Sequence, residues 1–104
     1  MKRVLISGAN GHIGHIVSEL LKTDMEIIQL TRNPMRDENE STRVISYETL
    51  NDLSKNELKN YLGSLDAFIH VASEIDYSPY NTNLTYFNIY VLHSVLVKLK
   101  EIGL

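Results

Sequence analysis

Three glycines, Gly8, Gly11 and Gly14, recur every third residue in Ser7-Gly8-Ala9-Asn10-Gly11-His12-Ile13-Gly14, after the apolar run Val4-Leu5-Ile6 and ahead of a helical pattern. The chemistry open to this spacing is anion binding by the backbone. Glycine lets a strand turn tightly and start a helix at once, and its missing side chain lets an anion approach the main chain. The first turn of that helix then presents free N–H groups and a partial positive charge. A dinucleotide pyrophosphate is the guest that suits such a cradle.

A second feature bears on which dinucleotide. A carboxylate at the tip of the next strand would hydrogen-bond the adenosine 2′-hydroxyl and select NAD. This chain has Thr31 and Arg32 there, with Arg36 nearby. A guanidinium suits a 2′-phosphate, so the sequence favours NADP over NAD. Other reactive residue types carry less. His12 and His15 lie three apart, but no cysteine or clustered third ligand joins them, and no metal site is expected. His70 reads as a core or sheet-face histidine, and His93 as the edge of an apolar helix face. Six tyrosines could stack bases, but the net charge of −3 argues against nucleic acid. Tyr77, Tyr80 and Tyr86 are expected to pack a loop over the strand ends.

The elements that must position these residues follow from apolar spacing. Val4–Ser7 reads as a buried strand. Ile13, Ile16, Val17, Leu20 and Leu21 mark an amphipathic helix from His12 to Lys22. Glu26–Leu30 is a second strand, ended by Thr31-Arg32-Asn33-Pro34. Residues 35–42 are polar and form a loop or a short helix. Arg43–Tyr47 is a third strand. A helix is predicted over about 54–62, with Ser54 and Glu57 as a capping box and Gly63 as its stop. Asp66–Ala72 is a fourth strand and Ser73–Asn83 a tyrosine-rich loop. A long helix runs from about Thr82 to Ile102, apolar on more than one side. Strands alternating with helical segments imply an α/β fold, with a parallel sheet and helices on both faces.

Size and composition agree with one domain spanning residues 1–104. The chain is 43% hydrophobic and 22% charged, with no cysteine, so disulfide and thiolate chemistry are not expected. No basic block, membrane-length apolar run or signal peptide is evident. A reducing, cytoplasmic setting is the expectation, without nucleic-acid or membrane partners.

Residues 7–14 resemble the TGxxGxxG fingerprint of the extended and atypical short-chain dehydrogenase/reductases, which include the NAD-dependent epimerase/dehydratases and the NmrA-like proteins. Leu30-Thr31-Arg32-Asn33-Pro34 resembles the end of that family's second strand. Leu65-Asp66-Ala67-Phe68-Ile69-His70-Val71-Ala72-Ser73 resembles its "DAVIHLAA" fourth strand. Asn88-Ile89 with Lys100-Glu101-Ile102-Gly103-Leu104 resembles the following helix, although Val91-Leu92 replaces the usual Gly-Thr. The resemblance implies a Rossmann-like three-layer sandwich of about four parallel strands in the order 3-2-1-4. It implies cofactor contacts from Gly8, Asn10, Gly11, His12, Ile13, Gly14, Thr31 and Arg32. It also implies Glu48 and Thr49 near the adenine, Val71, Ala72 and Ser73 against the adenine-ribose half, and Asn88 near the nicotinamide ribose. Tyr47-Glu48 stands where the family usually has Gly-Asp.

The family's enzymes use a Tyr-x-x-x-Lys pair, whose tyrosine exchanges the proton and whose lysine lowers its pKa. No tyrosine here has lysine four residues on: Tyr47 leads to Asn51, Tyr61 to Leu65, Tyr77 to Asn81, Tyr80 to Leu84, Tyr86 to Tyr90 and Tyr90 to Ser94. By resemblance the fifth strand would begin near Leu104, which reads as a truncation before the catalytic part. The expected function is therefore dinucleotide binding without independent turnover. The alternatives are an NmrA-like regulatory or protein-interaction module, or a shortened product with no function. A fourth strand left at the sheet edge and a broadly apolar last helix point to a homodimer through either element.

Overall fold

The computed structural model describes residues 2–8, 12–32, 43–71 and 90–104. Its elements are β1 (Lys2–Ser7), α1 (His12–Leu21), β2 (Met25–Thr31), β3 (Arg43–Ser46), α2 (Tyr47–Asp52), α3 (Lys55–Leu62), β4 (Ala67–His70) and α4 (Leu92–Glu101). The four strands form one sheet in the order β3-β2-β1-β4. All three pairings are parallel, with Ser7 opposite both Leu30 and His70, and Thr31 opposite Ser46. The carboxyl ends of the strands therefore meet along one edge, as the alternating pattern requires.

Strand alternation sends side chains to two faces, and each face has its own core. On one, Leu5, Ile28, Leu30 and Ile45 pack with Leu50 of α2, Leu58 and Leu62 of α3, and Val95 and Leu99 of α4. On the other, Val4 and Ile6 are covered by Val17 and Leu21 of α1, with Ile27 and Ile69 beside them. The result is the expected three-layer Rossmann-like α/β arrangement.

Local chemistry sets the helix limits. Ser54 and Glu57 form the reciprocal capping box expected for α3, and Gly63 ends it. The third strand stops one residue early, because Ser46 accepts the Thr49 N–H at 3.0 Å and starts α2. Tyr47 is thus helical, and α2 is an element that the apolar spacing did not reveal. β4 is shorter than expected, and the part of the last helix before residue 90 lies outside the described residues.

The expected face of α1 is divided. Gly14 is buried and Val17 and Leu21 meet the sheet, whereas Ile13, Ile16 and Leu20 are 64%, 49% and 71% exposed. Spacing at i, i+3 and i+7 puts those three on one flank of the helix, turned away from the strands.

The opposite end of the sheet is tied by charge. Glu26 on β2 accepts Arg3 Nε at 2.9 Å and Arg43 Nη1 at 3.3 Å. Arg3 also donates to the Leu62 carbonyl at 2.6 Å, and Arg43 to the Tyr61 carbonyl. These bonds fix β1, β2, β3 and the end of α3 together, away from the glycine turn. Among the described residues no helix is long and apolar enough to cross a membrane.

Candidate functional site

The carboxyl edge of the sheet gathers the residues singled out from the sequence. Ser7 ends β1 fully buried, and Gly8 follows with φ 74°. That left-handed value suits glycine and lets the chain leave the strand abruptly. α1 begins at His12, with Ile13 exposed and Gly14 buried beneath it. A buried glycine at this place lets helix and strand pack closely. Asn10 and Gly11 lie outside the described residues.

Thr31 and Arg32 stand at the tip of β2, the latter exposed. Strand register puts Ser46 beside Thr31, so Tyr47 starts α2 next to Arg32. Tyr47 packs against the larger core. Burial pushes its phenol above the ordinary tyrosine value, while the nearby Ser7 hydroxyl and the Arg32 charge act in the opposite sense. Glu48 and Thr49 are exposed in the first turn of α2. Ser46 donates its hydroxyl to Thr49 Oγ1 at 2.9 Å, so Thr49 also serves the cap.

At the end of β4, the Val71 N–H donates to the Ser7 carbonyl at 3.2 Å and to Ser7 Oγ at 3.1 Å. His70 Nδ1 lies 2.7 Å from the same Oγ, and its ring tilts against Phe68 with centroids 5.9 Å apart. Burial holds the His70 imidazole below the ordinary histidine value. Ala72, Ser73 and Asn88 lie outside the described residues. The structure therefore brings Gly8, His12, Ile13, Gly14, Thr31, Arg32, Glu48, Thr49 and Val71 to the helix starts and strand ends of one edge. Tyr47 and His70 belong to the same edge, although the sequence assigns them no ligand contact: Tyr47 reads as the end of the third strand and His70 as a core or sheet-face histidine, and the structure leaves His70 exposed. The signal for His70 was its place at the end of the fourth apolar run. Among the described residues no group of His, Asp or Glu side chains could hold a metal ion.

Among the described residues, Gly8 and the start of α1 lie at the carboxyl end of β1, with Arg32 at the tip of the neighbouring strand. Residues 4–97 match the NAD dependent epimerase/dehydratase family. The chain belongs to that family. No curated protein sequence matches it. Solved structures agree on the fold. WbmH of Bordetella bronchiseptica, determined with NAD+, superposes with a TM-score of 0.73 at 22% identity, over 99% of this chain and 36% of that one. A UDP-N-acetylglucosamine 4-epimerase from Bacillus cereus gives 0.72 at 20% identity, over 100% and 34%. A uronate dehydrogenase from Agrobacterium tumefaciens gives 0.68 at 21%, over 99% and 38%. The chain thus spans about a third of these structures' length.

The residues present fit a nicotinamide adenine dinucleotide. The strand leaves through a left-handed glycine, the helix that follows approaches on a buried glycine, and both lie at the carboxyl ends of parallel strands. Such crevices are where open α/β sheets take their ligands.

Proposed function

We propose that this chain binds a nicotinamide adenine dinucleotide along the carboxyl edge of its sheet, as the cofactor-holding part of an epimerase- or dehydrogenase-like protein. One observation carries the reading: the glycine turn at the end of β1 opens α1 within a family match that spans the sheet. In this reading Gly8, Asn10, Gly11, His12, Ile13 and Gly14 surround the pyrophosphate. Thr31 and Arg32 meet the adenosine ribose, and Glu48 and Thr49 lie toward the adenine. Val71, Ala72 and Ser73 border the adenine-ribose half, and Asn88 the nicotinamide ribose. When bound, the nicotinamide supplies a hydride acceptor or donor. The chain's own part is to hold and orient it.

Arg32 supports a preference for NADP, because a guanidinium pairs with a 2′-phosphate. The family description and the NAD+ bound to the Bordetella protein favour the unphosphorylated cofactor. The Tyr-x-x-x-Lys pair is absent from these residues, which supports binding without turnover by this chain alone. β4 has a strand on one side only among the described residues, and Leu96 and Val97 of α4 are about half exposed. We extend the proposal to a homodimer through one of these surfaces, in the reducing cytoplasmic setting that a cysteine-free chain suits.

Titration calorimetry with NADP and NAD tests the reading. Micromolar binding that Gly11→Asp abolishes is expected, with Arg32→Glu weakening NADP more than NAD. Absence of binding by either dinucleotide would overturn it. Sedimentation at tens of micromolar tests the dimer, and a compact monomer would remove it.

A further inference from the structure

Three strand ends bring polar groups to one point beneath the glycine turn. Ser7, the last residue of β1, is the register partner of His70 at the end of β4. Its hydroxyl accepts the Val71 N–H at 3.1 Å and lies 2.7 Å from His70 Nδ1. Tyr47, at the start of α2 after β3, brings its phenol close enough to Ser7 for the two groups to influence each other. The next residue is Gly8, where the backbone passes from extended to left-handed. The side chain held at this point thus belongs to the residue from which the turn departs.

A hydroxyl has one hydrogen to donate and two lone pairs that accept. Val71 N–H occupies one lone pair of Ser7 Oγ. An unprotonated Nδ1 gives the hydroxyl hydrogen a short, direct acceptor, and the neutral ring then carries its own hydrogen on Nε2. We infer that His70 is a positioning residue for the dinucleotide turn: by accepting the Ser7 hydroxyl through Nδ1 it fixes the Ser7 rotamer and the direction in which Gly8 leaves β1. The inference rests on the dinucleotide reading of that turn and assigns a role to a residue outside the cradle itself. An apolar ring at position 70 would leave the Ser7 hydroxyl to rotate toward another acceptor. It would also loosen the bond between the ends of β1 and β4, and a cradle made of backbone N–H groups depends on where that backbone points.

Calorimetric titration of NAD and of NADP into the wild-type chain, His70→Phe, Ser7→Ala and His70→Asn tests this. The asparagine amide oxygen can stand near the place of Nδ1 and accept the same hydrogen. Removing one partly buried hydrogen bond predicts about tenfold weaker binding for His70→Phe and Ser7→Ala, with His70→Asn close to wild type. Equal affinity of His70→Phe and wild type would overturn the role of His70 and leave the dinucleotide reading standing. Equal weakness of His70→Asn and His70→Phe would also overturn it. A wild-type chain that binds neither dinucleotide would remove both. Should His70→Phe fail to fold, two-bond proton–nitrogen spectra of the wild-type ring give the answer. A single tautomer protonated on Nε2, with Nδ1 shifting when NAD is added, is expected. A hydrogen on Nδ1, a mixture of tautomers, or no response to NAD would overturn the inference.

Discussion

The guanidinium of Arg3 fills the place where a side chain on Gly63 would begin. A Cβ built on Gly63 would collide with Arg3 Nη1, and the backbone there has φ 67° and ψ −147°. The glycine that ends α3 therefore has two duties. It adopts a conformation that other residues avoid, and it leaves room for the arginine that reaches the Leu62 carbonyl and Glu26.

Gly63→Ala is expected to lower stability by about 1–3 kcal/mol from backbone strain, with further loss where Arg3 must withdraw. Chemical denaturation of the two proteins measures it. Arg3→Ala in the alanine background should cost less than in the wild type, since the crowding is then relieved. Equal costs in the two backgrounds would dissociate the two residues.

Glu26 gives a pH dependence at the same end of the sheet. The hydrogen bond from Arg3 holds its carboxyl below the usual 4.5, with Arg43 adding to the effect and burial opposing it. The unfolded chain takes up this proton first as pH falls. The contribution of Glu26 to stability is accordingly present above about pH 4.5 and lost as the pH drops through its folded value. Urea midpoints between pH 7 and pH 3 should fall more steeply for the wild type than for Glu26→Gln.

His70 acts in a higher window. Burial lowers its imidazole below 6.5, so the unfolded state binds the proton more readily. Its neutral form supports the fold above about pH 6.5, and that support is lost as pH falls through the lowered value. Melting temperatures from pH 7.5 to 5 should decline less in His70→Asn, which cannot take up the proton.

The exposed flank of α1 should tolerate charge. Ile13→Lys and Leu20→Glu are expected to change stability by no more than about 0.5 kcal/mol, because neither side chain is in either core. Leu58→Ala, wholly buried in the larger core, should cost about 2–5 kcal/mol. Thermal melts of the three variants compare them directly. A large loss at Ile13 or Leu20 would show that the flank is covered in solution.

Much of this architecture was legible because it rests on local rules. Alternating apolar segments implied the parallel sheet, the family resemblance implied its strand order, Ser54 with Glu57 gave the start of α3, and Gly8 marked the exit from β1. Residues 47–52 were opaque, since a six-residue helix has too few apolar positions to show a period. Leu50 is its one wholly buried residue, and the deciding feature was the Ser46 cap. Periodicity alone makes the apolar face of α1 a single surface, because it counts Ile13 and Val17 alike. Only the sheet distinguishes them, by contacting one side. His70 looked like an ordinary strand residue because the hydroxyl it meets is distant in sequence.

That distance has a consequence for the order in which the chain acquires structure. β1 precedes the other described strands in sequence, yet it is central, with β2 on one side and β4 on the other. Ser7 finds His70 across 63 positions. At a synthesis rate of about 5–20 residues per second, roughly 3–13 seconds separate the two on a ribosome. During that interval the apolar Val4-Leu5-Ile6 segment has β2 available before β4 exists. Parallel pairings of this span also carry a high contact order, which slows folding. The nascent β1–α1–β2 unit consequently carries its future central strand bare on one side until β4 follows.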